Sequence, residues 1–227
     1  MSLVDFPLEL DHIAFISQVD APEAEVLEKI GLVRFSGTTQ HTGLGTASTS
    51  FFFENIYLEL LWAHDAELAM KKFQPLGLDL DARARWQDTF ACPFGVMLRR
   101  KAGRRDAIPF ATKQFTAEWM PTETIVHFNA EQSGEPYYGI VPENLGYPSF
   151  KETILNRDHA LGVKNVTAVK ISVYGDLELS PVARLLEENS IVNFKTAPYA
   201  NLEIEFDRGT QDEAINLRPD LPIVLKY

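Results

Sequence analysis

Three side chains set the chemical question: His12 in LDHIAFIS (10–17), Glu59 in YLELLW (57–62) and Glu203 in NLEIEF (201–206). Each stands in a strand-like run rich in apolar residues. Strand alternation puts Tyr57, Glu59 and Leu61 on one face and Leu58, Leu60 and Trp62 on the other. An ionised carboxylate inside a sheet-enclosed cleft is costly unless it is paired or bound to a cation. Two carboxylates and an imidazole meeting in one cavity would repel each other or share a cation. Such nitrogen and oxygen donors suit Zn²⁺, Mn²⁺, Fe²⁺ or Ni²⁺ without choosing among them. A cation with open positions would act as a Lewis acid on two neighbouring substrate oxygens and stabilise an enolate or similar anion. Glu203 or Glu59, loosened from it, would serve as general base.

Each residue also has a plainer alternative. His12 can be a core histidine with a backbone partner. Glu59 can face solvent or pair with Arg99. Glu203 shares a face with Glu205, as on a solvent-exposed edge strand. Further candidates surround these three. His41 is placed at the cleft mouth and His127, in IVHF, against the cleft. Tyr137 and Tyr138 are either packing or a substrate wall. Arg99, at the head of RRKAGRR, is a candidate substrate contact, since that basic run is either a solvated turn or a patch steering an anion. HTGLGT (41–46) is read as a tight turn, because a phosphate cradle needs a following helix. His159 is expected to end a helix. Cys92, the single cysteine, is expected to be a small buried hydrophobe.

The chain must position these groups with 227 residues, 45% of them apolar and 23% charged, which predicts a globular fold. A net charge of −11 argues against nucleic acid. No apolar run approaches the roughly 18 residues of a membrane helix. No secretory signal is recognisable, and one cysteine allows no internal disulfide, so a cytoplasmic protein is expected.

The first hundred residues read as strand, helix, then several strands. ELDHIAFIS is followed by a helix over DAPEAEVLEKIGL, with Asp20 as cap, Pro22 in its first turn and Gly31 at its end. LVRFSG, STSFFFEN and IYLELLWA read as strands, DAELAMKKFQPLG as a helix capped by Asp65, and PFGVMLRR as a strand. The last sixty residues repeat that order: NVTAVKISVYG, a helix over SPVARLLEENS capped by Ser180, then IVNFKTAPY, NLEIEFDRG and LPIVLKY. Laying HIAFIS on TAVKIS and YLELLW on NLEIEF places His12 on Thr167 and Glu59 on Glu203. The expected division is a first module over 1–105, an aromatic-rich connecting segment over 106–164, and a second module over 165–227.

A strand with DHIAF, a HTGLGTAS loop and then YLELLW resembles the glyoxalase-like branch of the vicinal oxygen chelate superfamily. CPFGVMLRR and PYYGIVPE look like its Gly-containing strand ending in Arg and its aromatic pair. The resemblance implies an α+β fold of paired βαβββ modules, whose curled mixed sheets enclose a cleft. It also implies metal ligands at His12, Glu59, Thr167 and Glu203, of which Thr167 is not a usual ligand. It implies a small-molecule substrate and a divalent metal. The implied activity is that of a metal-dependent lyase, isomerase or dioxygenase; the alternative is metal-free small-molecule sequestration, as in resistance proteins of the superfamily. A homodimer fits the superfamily.

Overall fold

The computed structural model describes residues 6–35, 37–117, 120–121, 124–175 and 178–227. Strand β1 (Leu8–Ile16) leads to helix α1 (Glu23–Lys29), and then to β2 (Thr39–His41), β3 (Thr46–Phe52) and β4 (Tyr57–Ala63). β4 returns to lie parallel to β1, β3 runs antiparallel to β4, and β2 antiparallel to β3. Helices α2 (Ala66–Phe73), α3 (Leu80–Ala84) and α4 (Trp86–Thr89) precede β5 (Phe94–Arg100), which pairs antiparallel with β1. β6 (Lys113–Phe115), β7 (Val126–Asn129) and β8 (Tyr137–Val141) complete the sheet, with β8 parallel to β5. The result is one eight-stranded mixed sheet, ordered β2-β3-β4-β1-β5-β8-β7-β6.

After α5 (Tyr147–Phe150) come β9 (Val166–Tyr174), α6 (Pro181–Glu188), β10 (Asn193–Ala197), β11 (Asn201–Phe206), β12 (Ala214–Asn216) and β13 (Ile223–Lys226). They form a separate five-stranded sheet, β10-β9-β11-β13-β12. The molecule is thus α+β with two mixed sheets. Among the described residues no helix is long and apolar enough to cross a membrane.

Strand pairing corrects the expected repeat. β1 has β4 as its parallel partner, whereas β9 has β10, and β11, which carries Glu203, runs antiparallel to β9. The counterpart of β1–β4 is β5–β8, where the same parallel and antiparallel pairings recur. The irregular stretch 101–112 stands there in the place of α1. The segment 106–164, read as a connector, therefore supplies three of the eight strands. The difference has a physical cause: apolar strands match one another over six residues at many registers, and partner choice is made by long-range packing.

Local chemistry explains some of the helix starts. Asp65 accepts from Leu68 N–H at 3.0 Å and Ser180 from Ala183 N–H at 3.1 Å, as capping side chains do. At α1 the expected Asp20 cap is absent. Asp20 takes a positive φ, and Glu23 instead turns back to accept from Gln18 N–H. LVRFSG forms no strand over its described residues 32–35 and 37, because the N–H groups of Val33 and Phe35 go to the His159 ring and the Ser50 carbonyl.

Alternation then sorts the side chains. Ile13, Phe15, Leu58, Leu60, Trp62, Val96 and Leu98 belong to one large core, which also takes in Val169, Ile171, Leu202 and Ile204 of the second sheet and Val182 and Leu186 of α6. The opposite face carries His12, Ala14, Tyr57, Glu59, Leu61, Met97 and Tyr137, and there a cleft opens.

Candidate functional site

The cleft has a volume of about 650 Å³, within the range of ligand pockets. His12 and Glu59 reach it from adjacent parallel strands, β1 and β4. The His12 ring stacks on Tyr57, its register partner, with centroids 4.2 Å apart. Glu59 Oε2 lies 3.6 Å from His12 Nε2, too far for a hydrogen bond but close enough for direct electrostatic contact.

The other ring nitrogen explains the histidine in this apolar strand. In the register with β5, Leu10 faces Leu98 and His12 faces Met97, so Asp11 has no opposite residue and forms a bulge. Neighbours on a regular strand point to opposite faces; here Asp11 Oδ1 and His12 Nδ1 meet at 2.7 Å. Asp11 is wholly buried. Its Oδ2 accepts from Tyr147 N–H at 2.8 Å and from Arg99 Nη1 at 3.1 Å, and Arg99 also pairs with Glu9. Burial pushes the Asp11 carboxyl up, but His12, the Tyr147 amide and Arg99 outweigh it and hold the group below the usual carboxylate range. An ionised Asp11 accepts the Nδ1 proton and leaves Nε2 as the basic nitrogen facing the cleft.

The other sequence candidates divide. His41 lines the cleft, with Nδ1 3.0 Å from Thr46 Oγ1 and Nε2 3.5 Å from Ser48 Oγ. Burial lowers its pKa against the pull of Glu59, which keeps it neutral. Tyr137 lines the cleft, its ring seated over Gly95, where a Cβ would overlap it. Burial, then the Glu59 charge, raises its phenol well above the ordinary value, and the same causes act on Tyr57.

Five expectations are corrected. Glu203 lies outside the cleft on β11, gripped by Lys195 at 2.5 Å and Lys226 at 2.8 Å. Burial raises its pKa, but the two lysines outweigh that and bring it to about 2. Nothing there resembles a carboxylate poised for proton transfer. Thr167, its expected companion, bonds Glu205 and Arg208 N–H on the second sheet. Tyr138 faces the core and donates to Glu135, because consecutive strand residues cannot share a face. His127 bonds Thr112, while its neighbours Val126 and Phe128 line the cleft. Arg99 touches neither cleft nor Glu59; it holds Asp11.

Two bystanders are also settled. His159 ends no helix: its ring bridges Val33 N–H and the Phe52 carbonyl. Cys92 is buried, and burial pushes its thiol up to about 12.

The donor set tests the implied metal. Among the described residues no three His, Cys, Asp or Glu side chains gather as a cation site. His12 and Glu59 supply two donors, and both His41 nitrogens face hydroxyls. Two donors do not fit the four-position arrangement.

Asp11, Ser50 and Tyr57 are functional candidates absent from the sequence-based site. Asp11 had a signal, an acid beside a histidine in an apolar strand, but only the bulge reveals their contact.

Neither a protein-family model nor a curated protein sequence matches the chain. A solved structure does: a hypothetical protein from Staphylococcus aureus, with a TM-score of 0.54 and 12% identity over 97% of this chain and 99% of that one. At that identity the likeness concerns the fold alone.

Proposed function

We propose that the chain is a small-molecule enzyme of the glyoxalase-like kind, in which His12 moves a proton as lyase or isomerase chemistry requires. The observation that carries this is the Asp11–His12–Glu59 array, in which His12 and Glu59 line the cleft and the buried Asp11 holds the ring from the other side. A base oriented by a buried carboxylate is a recurrent way to fix an imidazole tautomer and stabilise the imidazolium that forms. His12 Nε2 would take a proton from a carbon next to a substrate carbonyl. The Tyr57 and Tyr137 phenols, held protonated, would donate to that carbonyl as negative charge grows on it. Glu59 would stabilise the imidazolium until the proton returns at a neighbouring carbon or serves a leaving group. A general base of this kind contributes about 10²–10⁴ in rate. The recurrence of one strand pairing in β1–β4 and β5–β8 supports the likeness to the vicinal oxygen chelate superfamily.

The test is solvent-deuterium uptake by a panel of alkyl and aryl ketones, followed by mass spectrometry. Wild type should exchange at least one member, and His12→Gln should lose at least a hundredfold in rate while affinity changes little. A second reading, sequestration without turnover, is favoured by the mostly apolar lining of the cleft. Tight binding with no exchange in wild type would select it.

A further inference from the structure

The cleft has two chemically different walls. On the β3 side Thr46, Ser48 and Ser50 alternate along one strand and all face it. His41 engages the first two hydroxyls, while the Ser50 hydroxyl has no hydrogen-bond partner among the described residues. The Tyr57 and Tyr137 phenols likewise have none. These three residues are 8%, 8% and 3% exposed. Their hydroxyl oxygens open onto the cleft, and a ligand that displaces its solvent leaves three O–H donors unmatched unless it brings acceptor atoms. The β6–β8 side offers hydrocarbon and aromatic surface instead: Phe115, Val126, Phe128 and Val141.

Charge narrows the choice. Among the described residues lining the cleft there is no Lys or Arg; the ionisable groups are His12, His41, Glu59 and the two phenols. Arg83 lies 5.6 Å from the Tyr137 ring centroid but donates to the carbonyls of Cys92, Glu135 and Gln132. An anionic ligand would lose its hydration, find no cation and meet Glu59. An ammonium would find Glu59, but it brings donors only and leaves the phenol and serine protons unmatched.

Resting on the reading of the cleft as a substrate site, we propose that its ligand is an uncharged amphiphile. Carbonyl or hydroxyl oxygens of that molecule accept from Ser50, Tyr57 and Tyr137, and its hydrocarbon body lies against Phe115, Val126 and Phe128.

Three matched probes share a hydrocarbon body and differ only in the head: 2-naphthalenemethanol, 2-naphthoate and 2-naphthylmethylammonium. Their affinities for the full chain are measured by fluorescence titration at pH 7. The alcohol should bind best, the carboxylate at least tenfold more weakly and the ammonium at least threefold more weakly. Ser50→Ala combined with Tyr137→Phe should weaken the alcohol at least fivefold and leave 2-methylnaphthalene unchanged, the latter also reporting an intact cleft. Glu59→Gln should bring the carboxylate to within threefold of the alcohol. The proposal is overturned if either charged probe equals the alcohol, if none of the three binds, or if the double variant keeps full affinity for the alcohol. None of these readouts needs turnover, so they stand or fall separately from proton transfer by His12, which the His12→Gln exchange assay judges.

Discussion

Replacing Asp11 by Asn removes one charge from a wholly buried group and changes almost no volume. The amide has one oxygen, whereas the carboxylate serves partners on both sides. If that oxygen keeps His12 Nδ1–H, the NH₂ group faces Tyr147 N–H and Arg99, donors meeting donors. If it turns to Tyr147 and Arg99, the NH₂ donates to His12 Nδ1 and forces the ring proton onto Nε2. The second arrangement preserves two bonds and is the one expected. Charge-assisted bonds contribute about 1.5–3 kcal/mol each, and retaining the geometry while losing the charge should cost roughly 2–3 kcal/mol in urea unfolding at pH 7. The rate of substrate deuterium exchange should fall by about 10²–10⁴, because the nitrogen facing the cleft no longer has a free lone pair. The pH dependence supplies a sign. A carboxylate held below its ordinary value in the folded state stabilises above the unfolded pKa of 3.8. The stability gap between wild type and Asp11→Asn should therefore be full at pH 5–7 and close as pH falls through the lowered folded value. A ¹⁵N spectrum of the His12 ring in the variant should show the proton on Nε2. Exchange within threefold of wild type, or a stability gap that does not narrow in acid, would refute the role assigned to Asp11.

Other perturbations separate site from scaffold. Glu203→Gln should leave cleft affinities unchanged and cost only about 0.5–1 kcal/mol, because its lysine partners are 40% and 48% exposed. That contribution is present above about pH 4.5 and lost as pH falls toward 2, so the variant and wild type should converge in acid urea titrations. Gly95→Ala should cost roughly 1–3 kcal/mol and weaken naphthalenemethanol binding, since its methyl group displaces the Tyr137 ring. Cys92 should react with a thiol reagent only at the rate of unfolding; fast labelling of native protein would show that the burial assigned to it is wrong.

Local patterning makes much of the fold legible in the sequence. Asp65 and Ser180 are capping residues in the expected places, and the faces of YLELLW divide as alternation requires. What stayed hidden is partner choice. The likeness of NLEIEF to YLELLW is real as a pattern of apolar and acidic residues, but the glutamates meet opposite conditions. Glu59 has an imidazole and phenols beside it, and Glu203 has two lysines. Lys195 and Lys226 lie 8 and 23 residues away in sequence, and only sheet formation brings them to Glu203. Spacing along the chain cannot separate such glutamates, because the charge that decides their chemistry arrives from other strands.

The site shows a related limit. His12 was recognisable by its incongruity, a titratable ring in a run that needed none. Its partner Asp11 was the adjacent residue, and strand alternation argued against their contact. The bulge reverses that argument by giving β1 one residue more than β5 across the pair. The irregularity turns Asp11 toward the His12 ring, and Arg99 and the Tyr147 amide, distant in sequence, compensate its buried charge. Without them an ionised Asp11 would be too costly to bury, and without the bulge it could not reach Nδ1. The tautomer of His12 at the cleft is therefore set through Asp11 by an arginine outside the cleft lining. Arg99→Met should accordingly slow proton transfer while leaving probe affinities within about twofold, and lost affinity with an unchanged rate constant would place Arg99 in the cleft after all.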